Sequence, residues 1–286
     1  MRKNGVSPLF AVPAWIVYTV LLIIPILYAF LISFTKWNGV TEMTFVGLDN
    51  YIRGFSDKRL GAACVNTLII SSTVVIAVNI VGLALAILLN KAGRSTKVFR
   101  AVFFVPYVLS TVAVSFIWKS IFSYTGVING FLEVFGIHAR DFLGKKESAL
   151  VCICIVEFWR TLGFYMVLYL AALQTVPQEL YEACTLDGGS AWDKFRYITL
   201  PMIIPGATVS LLLSIINELR VYDVVKVLTD GGPGYSTETV VYNIVTQGFG
   251  NNAMGYSCAL AVLLFIVLSG ITVIINTTSS RLGDNQ

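Results

Sequence analysis

Charged side chains are scarce in this chain: Asp, Glu, Lys and Arg make up 13% of its 286 residues. A soluble globular protein carries roughly a quarter charged residues, so about half of the expected charge is missing. The sequence is instead 56% hydrophobic, with a mean hydropathy of +0.78. The deficit is concentrated in long apolar runs, each near the roughly 20 residues that cross a bilayer. The composition therefore indicates a polytopic membrane protein.

Residues that form disulfides or hold metals are also few. The chain has 5 cysteines, mostly inside apolar segments, and an odd, scattered set indicates small buried side chains rather than disulfides. Cys152 and Cys154 are two residues apart, on different faces of a helix, which argues against a shared metal. His138 is the only histidine, and we expect it to be a loop residue. The sequence therefore predicts no metal site.

The sequence lacks the motifs of the common catalytic and nucleic-acid-binding classes. There is no Gly-x-x-x-x-Gly-Lys-Ser/Thr loop to hold phosphates, and Gly144-Lys145 lacks both the first glycine and the hydroxyl residue. His-Glu-x-x-His, Gly-x-Ser-x-Gly and paired catalytic aspartates are missing as well. The net charge of +4 is spread along the chain, with no dense basic tract. We therefore predict no catalytic residue, no cofactor in this chain and no nucleic-acid partner.

Six membrane spans follow from the apolar runs. We place them at about 12–35, 64–89, 100–122, 148–173, 202–226 and 256–278. Arg2 and Lys3 precede the first run, but that run is too long for a secretory signal and no small-residue cleavage site follows it. We therefore interpret it as a transmembrane helix within a single all-α domain, 1–286.

The orientation prediction rests on one short basic loop. Lys91, Arg94, Lys97 and Arg100 lie between the second and third spans without an acidic residue, which indicates the cytoplasmic side. With six spans, both termini and the loop around Glu182 are then cytoplasmic. External loops lie at about 36–63, 123–147 and 227–255. The short loop carries the prediction, because other basic residues fall outside in this topology, among them Lys36, Arg53, Lys58, Arg59, Lys145 and Lys146.

A polar segment, 176–201, separates the fourth and fifth apolar runs, and its local signals predict two short helices. Pro177 suits the first helical position. Gly188 and Gly189 predict a left-handed helix end, and Ser190 with Asp193 predicts a capping pair for the second helix. On these signals alone, the segment is equally well a capped connection between two spans.

The same segment carries a spaced motif: Glu182-Ala183-Cys184, three residues, Gly188, nine residues, then Ile198-Thr199-Leu200-Pro201. It resembles the pattern Glu-Ala-Ala, three residues, Gly, nine residues, Ile-x-Leu-Pro, by which permease subunits of binding-protein-dependent ABC importers dock on their ATPases. The chain departs from this pattern at Cys184, a small residue in place of alanine. The resemblance implies an ATPase-coupling hairpin with these residues: Glu182, Ala183, Cys184, Asp187, Gly188, Ile198, Leu200 and Pro201.

Other stretches resemble the carbohydrate and glycerol-phosphate branch of that family. They are Phe45–Tyr51, Phe104–Pro106, Trp159 with Gly163-Phe164, Leu173–Pro177 and Leu228–Gly234. The resemblance implies a type I ABC importer permease fold with six transmembrane helices, in a bacterial plasma membrane. It also implies a second six-span permease as heterodimer partner, two ATPase subunits that bind the ATP and Mg, and an extracytoplasmic solute-binding protein that delivers a carbohydrate.

Two polar clusters inside apolar spans are candidates for the substrate path. Glu157 and Arg160 can pair on one helix face, with Trp159 between them. The fifth run ends in a second cluster: Asn217, Glu218, Tyr222 and Asp223. Sugars favour aromatic faces and short polar groups, and mixed charge argues against a phosphorylated substrate. Equally, the first cluster can be a packing ion pair and the second an interfacial group.

Other functions remain open from the sequence. The same machine could import glycerol 3-phosphate, a polyol or an amino compound. A stand-alone ion-coupled secondary transporter, with Glu157 and Arg160 as its relay, is the alternative of another class, although it leaves the coupling hairpin unexplained. An intramembrane enzyme is the least favoured class, because the catalytic motifs are missing.

Overall fold

The computed structural model describes residues 11–90 and 93–283, without the side chains of Arg94 and of residues 279–283. The predicted all-α class is confirmed. The helices of the described chain are α1 Val12–Tyr18, α2 Ile24–Ile32, α3 Asp49–Ser56, α4 Lys58–Leu89, α5 Arg94–Val108, α6 Thr111–Phe122, α7 Val127–Val134, α8 Lys146–Leu173, α9 Gln178–Leu186, α10 Ala191–Asp193, α11 Leu200–Met202, α12 Ile204–Glu218, α13 Asp223–Leu228, α14 Val240–Val245 and α15 Met254–Gly283.

Short π-helical and β elements complete the structure. Thr19–Ile23 joins α1 to α2, Lys194–Thr199 joins α10 to α11, and Thr246–Gly250 follows α14, all three as π-helical turns. Strands β1 (Thr35–Lys36) and β2 (Thr44–Phe45) form an antiparallel pair in which Thr35 lies opposite Phe45.

The chain divides into two compact units. The first contains the described residues up to Lys58 together with Asn243–Val267, and so holds the first span, the β-pair and α3. The second contains Arg59–Tyr242 and the described residues from Leu268 onward. Both candidate sites lie in the second unit.

Among the described residues, 5 segments are long and apolar enough to cross a membrane: Val12–Ile32, Lys58–Leu89, Thr111–Val134, Lys146–Leu173 and Met254–Thr278. A bent pair, Ala191–Met202 and Ile204–Leu228, makes a sixth if it counts as one span. Its two parts meet at 68°. One cause is Pro205, whose missing N–H leaves the carbonyl of residue 201 without its helical donor.

The third span differs from the prediction of one helix over 100–122. Leu109 is extended (ψ 151°) and Ser110 caps a new helix, so the segment is divided into α5 and α6. The segment of spanning length is Thr111–Val134, which includes α7, a helix that the sequence analysis placed in an external loop. Hydropathy does not detect this break, because both sides of it are apolar. The fifth span, predicted as one helix over 202–226, is likewise interrupted, since α12 stops at Glu218 and α13 begins at Asp223.

The core of the second unit forms around α8, which packs against α4, α5, α6, α12 and α13. At Gly163 the helices α8 and α5 approach so closely that a Cβ would overlap the carbonyl oxygen of Phe103. At Gly206 an added Cβ would overlap the Cβ of Ala172, so α12 also lies directly on α8. Helix α8 therefore lies at the centre of this unit, just before the polar segment 176–201.

Candidate functional site

The first arm of the hairpin, α9, ends in the left-handed turn that the glycines predict. Gly188 has φ +78°. The N–H of Gly189 donates to the carbonyl of Cys184 at 2.8 Å, and the N–H of Gly188 donates to that of Thr185 at 3.1 Å. These two bonds are a Schellman motif, which satisfies carbonyls that a helix end otherwise leaves free. Pro177 is the residue before the helix rather than its first residue.

The second arm begins with the predicted capping pair. The N–H of Asp193 donates to Ser190 Oγ at 3.2 Å, and the N–H of Ser190 donates to Asp193 Oδ2 at 2.8 Å. This reciprocal arrangement is a capping box. The hydrogen bonds from the Ser190 side chain and backbone lower the pKa of Asp193 below its usual value. The glycine corner is therefore fixed from both sides.

The two arms are joined to each other and to the membrane helices. The hydroxyl groups of Tyr181 and Thr199 are 2.9 Å apart. Val176 and Ile203, at the two bases of the hairpin, are 8% and 1% exposed and belong to one apolar cluster with Ala86 of α4. Close-packed side chains transmit displacement rather than absorb it, so a displacement of the hairpin would reach these helix ends.

The predicted coupling residues lie largely on the outside of this hairpin. Glu182, Ala183, Asp187, Gly188 and Leu200 are exposed, whereas Cys184, Ile198 and Pro201 are partly buried. The arrangement presents an acidic side chain beside a small-residue surface near the glycine corner. A side chain added at Gly188 would meet nothing within 4 Å, so the space beside the corner is open.

Large apolar side chains extend this exposed surface. Leu186 is 89% exposed, Tyr197 68% and Trp192 63%. The sequence analysis did not select Leu186 or Tyr197. The signal that could have identified Leu186 is its position at the end of the first predicted helix, two residues before Gly188. Exposed apolar patches that are rimmed by polar residues mark protein interaction surfaces.

A cavity of about 320 Å³ lies between α5, α6, α8 and the segment that connects α12 to α13. It brings together five of the seven predicted substrate-path residues, which come from two separate clusters in the sequence. Its lining consists of Tyr107, Thr111, Glu157, Arg160, Thr161, Asn217, Arg220, Val221, Tyr222 and Asp223.

The ion pair in the cavity wall is well formed. Arg160 donates from Nε and Nη2 to Glu157 Oε2 at 3.1 and 2.6 Å. The Glu157 side chain is 2% exposed and that of Arg160 is 18% exposed. Asp223 and Arg220 add one charge of each sign to the lining, so the formal charges of the cavity balance.

Two predicted path residues lie elsewhere. Trp159 is 41% exposed and its ring packs edge-on against Trp118, with ring centroids 5.6 Å apart. Two helical positions separate Trp159 from Glu157, about 200° around the axis, so the two side chains cannot share a face. Glu218 is 1% exposed and lies behind the cavity; its Oε2 has no hydrogen-bond partner among the described residues.

Five lining residues were not among the predicted substrate-path residues: Tyr107, Thr111, Thr161, Arg220 and Val221. Tyr107 and Thr111 flank the break between α5 and α6, which hydropathy does not show. The ring of Tyr107 stacks on Phe164 of α8, with centroids 4.4 Å apart. Thr161 follows Arg160 on α8 and donates to the carbonyl of Glu157 at 2.7 Å. The proximity of Pro106 to these positions was the available signal.

A family profile and individual related sequences both match most of this chain. The sequence profile described as "Binding-protein-dependent transport system inner membrane component" matches residues 78–280. The trehalose/maltose transport system permease protein MalF of Thermococcus litoralis is 33% identical over 281 residues, which cover 96% of this chain and 93% of that protein. The arabinooligosaccharides transport system permease protein AraP of Bacillus subtilis is 32% identical over 276 residues, 95% and 88% of the two chains.

Solved structures show the same fold. A chain of a bacterial ABC transporter involved in the import of the acidic polysaccharide alginate superposes with a TM-score of 0.85 at 23% identity. The superposition covers 96% of this chain and 95% of that one. At this identity the likeness defines the fold alone.

Proposed function

This chain belongs to the family of binding-protein-dependent transport system inner membrane components, and from that membership we propose that it is the permease subunit of an ATP-driven carbohydrate importer. Members of the family are multi-pass membrane transporter subunits rather than enzymes. Beyond family membership, we infer the cargo, the ATPase-docking role of the hairpin, the heteromeric assembly and the orientation of the chain.

The exposed hairpin with its buried bases is the observation that carries the proposal. Its glycine corner presents Glu182 and Ala183 on the outside, while its bases are buried among membrane helices. We infer that two ATPase subunits, which bind the ATP and Mg, receive such hairpins, one from this chain and one from a second six-span permease. Both termini are then cytoplasmic; of the basic loop that indicates this side, Lys91 lies outside the described residues.

The mechanism follows from the connection between hairpin and cavity. Closure of the ATPases displaces the hairpin as a rigid body, and its bases at Val176 and Ile203 carry that displacement into α8 and α12. These helices contribute Glu157, Arg160 and Asn217 to the cavity. The displacement therefore changes access to the cavity, where a solute released by the external binding protein would pass. This chain performs no covalent step.

A neutral carbohydrate is the cargo that the cavity favours. Its lining combines two tyrosines with hydroxyl, amide and carboxylate groups, which suit sugar rings and sugar hydroxyls. Its two guanidinium groups are matched by two carboxylates, so a phosphorylated polyol would meet no excess of positive charge. The named relatives MalF and AraP are permeases for trehalose/maltose and arabinooligosaccharides.

The test is to recover the tagged chain from its native membrane in gentle detergent and to identify what accompanies it. We expect an ATPase, a second permease and a solute-binding protein, and ATP hydrolysis stimulated by the binding protein loaded with a neutral oligosaccharide. Glu182→Lys should remove the ATPase from the complex, whereas the matched charge reversal Glu133→Lys in α7 should not. Uptake by the chain alone, driven by an ion gradient, would refute the proposal.

A further inference from the structure

Helix α3 has its polar and apolar sides reversed relative to a helix on a soluble surface. Asn50 and Gly54, on the side that faces the chain, are buried. Leu48, which caps the helix, is 60% exposed, Ile52 is 65% exposed and Phe55 is 84% exposed. At about 100° per residue these three side chains lie on one face, opposite Asn50. The helix therefore turns its apolar face away from its own chain.

The level of α3 is set by its bonds to the end of the first span. Asn50 Nδ2 donates to the carbonyls of Ser33 and Thr35 at 2.9 and 2.8 Å. The hydroxyl groups of Ser33 and Tyr51 are 2.6 Å apart. These contacts satisfy carbonyls at a helix end, and they hold α3 where the apolar segment Val12–Ile32 stops.

An aromatic row connects the surface of the first span to α3. Phe30 is 45% exposed, and its ring lies 5.2 Å from that of Phe34. Phe34 in turn lies 5.6 Å from Tyr51, measured between ring centroids. Aromatic side chains are typical of the level at which a span meets the headgroups. The row therefore supports a position of α3 at the membrane surface.

We propose that α3 is an interfacial helix whose face of Leu48, Ile52 and Phe55 rests on lipid, at the boundary between headgroups and acyl chains. In the orientation proposed above, this is the outer leaflet. Phe45, which is 80% exposed and precedes the helix, belongs to the same apolar surface of this segment. An amphipathic helix of this composition binds the membrane plane rather than crossing it.

Lipid fits this face better than the external binding protein does. A binding protein docks and leaves, and surfaces of such transient contacts are no more apolar than the rest of a protein surface because they must also exist in water. The face of α3 is formed by the apolar side chains of Leu48, Ile52 and Phe55. Leaving this face in water would cost about 25 cal/mol per Å² of exposed apolar surface. The neighbouring first span presents the same kind of surface, with Leu21 72% and Leu31 64% exposed.

The polar side of α3 connects this anchor to the last span. The guanidinium of Arg53 lies 4.1 Å from the centroid of the Tyr256 ring at the start of α15. The Tyr256 hydroxyl donates to Asp57 Oδ2 at 2.8 Å, just after α3 ends. The helix therefore holds the ends of the first and last spans of this unit at one level of the membrane.

The test places a photoreactive benzoylphenylalanine at position 55 of the full chain, in native membranes. The same residue at Leu21 is the lipid-exposed control, and at Arg53 it is the control for the polar side of α3. We expect phospholipid adducts as the main products at positions 55 and 21, but not at position 53. A main adduct with any protein at position 55, or no adduct there, would overturn the proposal. Because the replacement at Phe55 is aromatic for aromatic, the fold is preserved, and the result does not depend on the cargo.

Discussion

The hydroxyl of Tyr181 lies 2.9 Å from that of Thr199, and this contact joins the two arms of the hairpin across its width. A hydrogen bond of this kind contributes about 1 kcal/mol net. It holds α9 and the second arm in one orientation, so that displacement of one arm also moves the other.

We therefore expect Tyr181→Phe to weaken coupling while leaving assembly intact. The aromatic ring stays in the apolar cluster, and only the link between the arms is lost. The measurement is the ratio of solute transported to ATP hydrolysed in proteoliposomes, which should fall. Tyr124→Phe, in an exposed ring between α6 and α7, is the matched control and should leave the ratio unchanged. An unaltered ratio in Tyr181→Phe would mean that packing alone joins the arms.

The glycine corner predicts a graded effect of alanine substitutions. At Gly188 a methyl group has open space, and only the left-handed conformation opposes it, at about 1–2 kcal/mol. At Gly189 a Cβ would overlap Cys184 Sγ and press on the Cys184 carbonyl. Gly189→Ala should therefore reduce co-purification of the ATPase more than Gly188→Ala. Adding Cys184→Ala should restore part of the loss at Gly189, because it removes the sulfur but not the carbonyl. The opposite order would contradict the Schellman geometry.

The sequence was sufficient for the hairpin because its determinants are local. Gly188, Ser190 and Asp193 each act on a neighbour within five residues, and the structure has the turn and the capping box at these positions. The membrane helices were equally accessible, since hydropathy over about 20 residues indicates a span. The breaks at Leu109 and Ile203 were not, because the side chains on both sides of each break are apolar.

The cavity was only partly predictable, for a related reason. Glu157 and Arg160 lie three positions apart on one helix, so their pairing follows from helical spacing alone. Tyr107 and Thr111 reach the same cavity from α5 and α6, and no local pattern connects them to α8. Trp159 has the right chemistry for a sugar, but helical geometry turns it toward Trp118.

The cavity lining predicts which substitutions change the response to solute. Asp223→Asn keeps the shape of the side chain and removes its charge, and hydrogen bonds to charged groups contribute about 1.5–3 kcal/mol. We expect the sugar concentration for half-maximal binding-protein-dependent ATPase activity to rise about tenfold. Trp159→Ala, on the side of α8 that packs against Trp118, should leave that concentration unchanged. Equal shifts in both variants would place the sugar path outside this cavity.

Substitutions of Glu157 and Arg160 distinguish two possible functions of this ion pair, a structural one and an ion relay. In a permease whose motor is an ATPase, the pair shapes the cavity wall and carries no proton. Removing one partner of a buried pair leaves an uncompensated charge, at a cost of about 3–5 kcal/mol. Glu157→Gln should therefore lower the thermal unfolding midpoint of the purified complex. The double variant Glu157→Gln/Arg160→Gln should recover much of that loss, because neither charge remains.

Transport in the same variants provides the second measurement. If the pair is structural, ATP-driven uptake in the double variant should follow its restored stability. In an ion relay, each carboxylate and guanidinium is needed for every cycle, so the double variant would be stable but inactive. Restored stability without uptake would return the ion-coupled mechanism to consideration, whereas joint recovery of both would assign Glu157 and Arg160 to the architecture of the cavity.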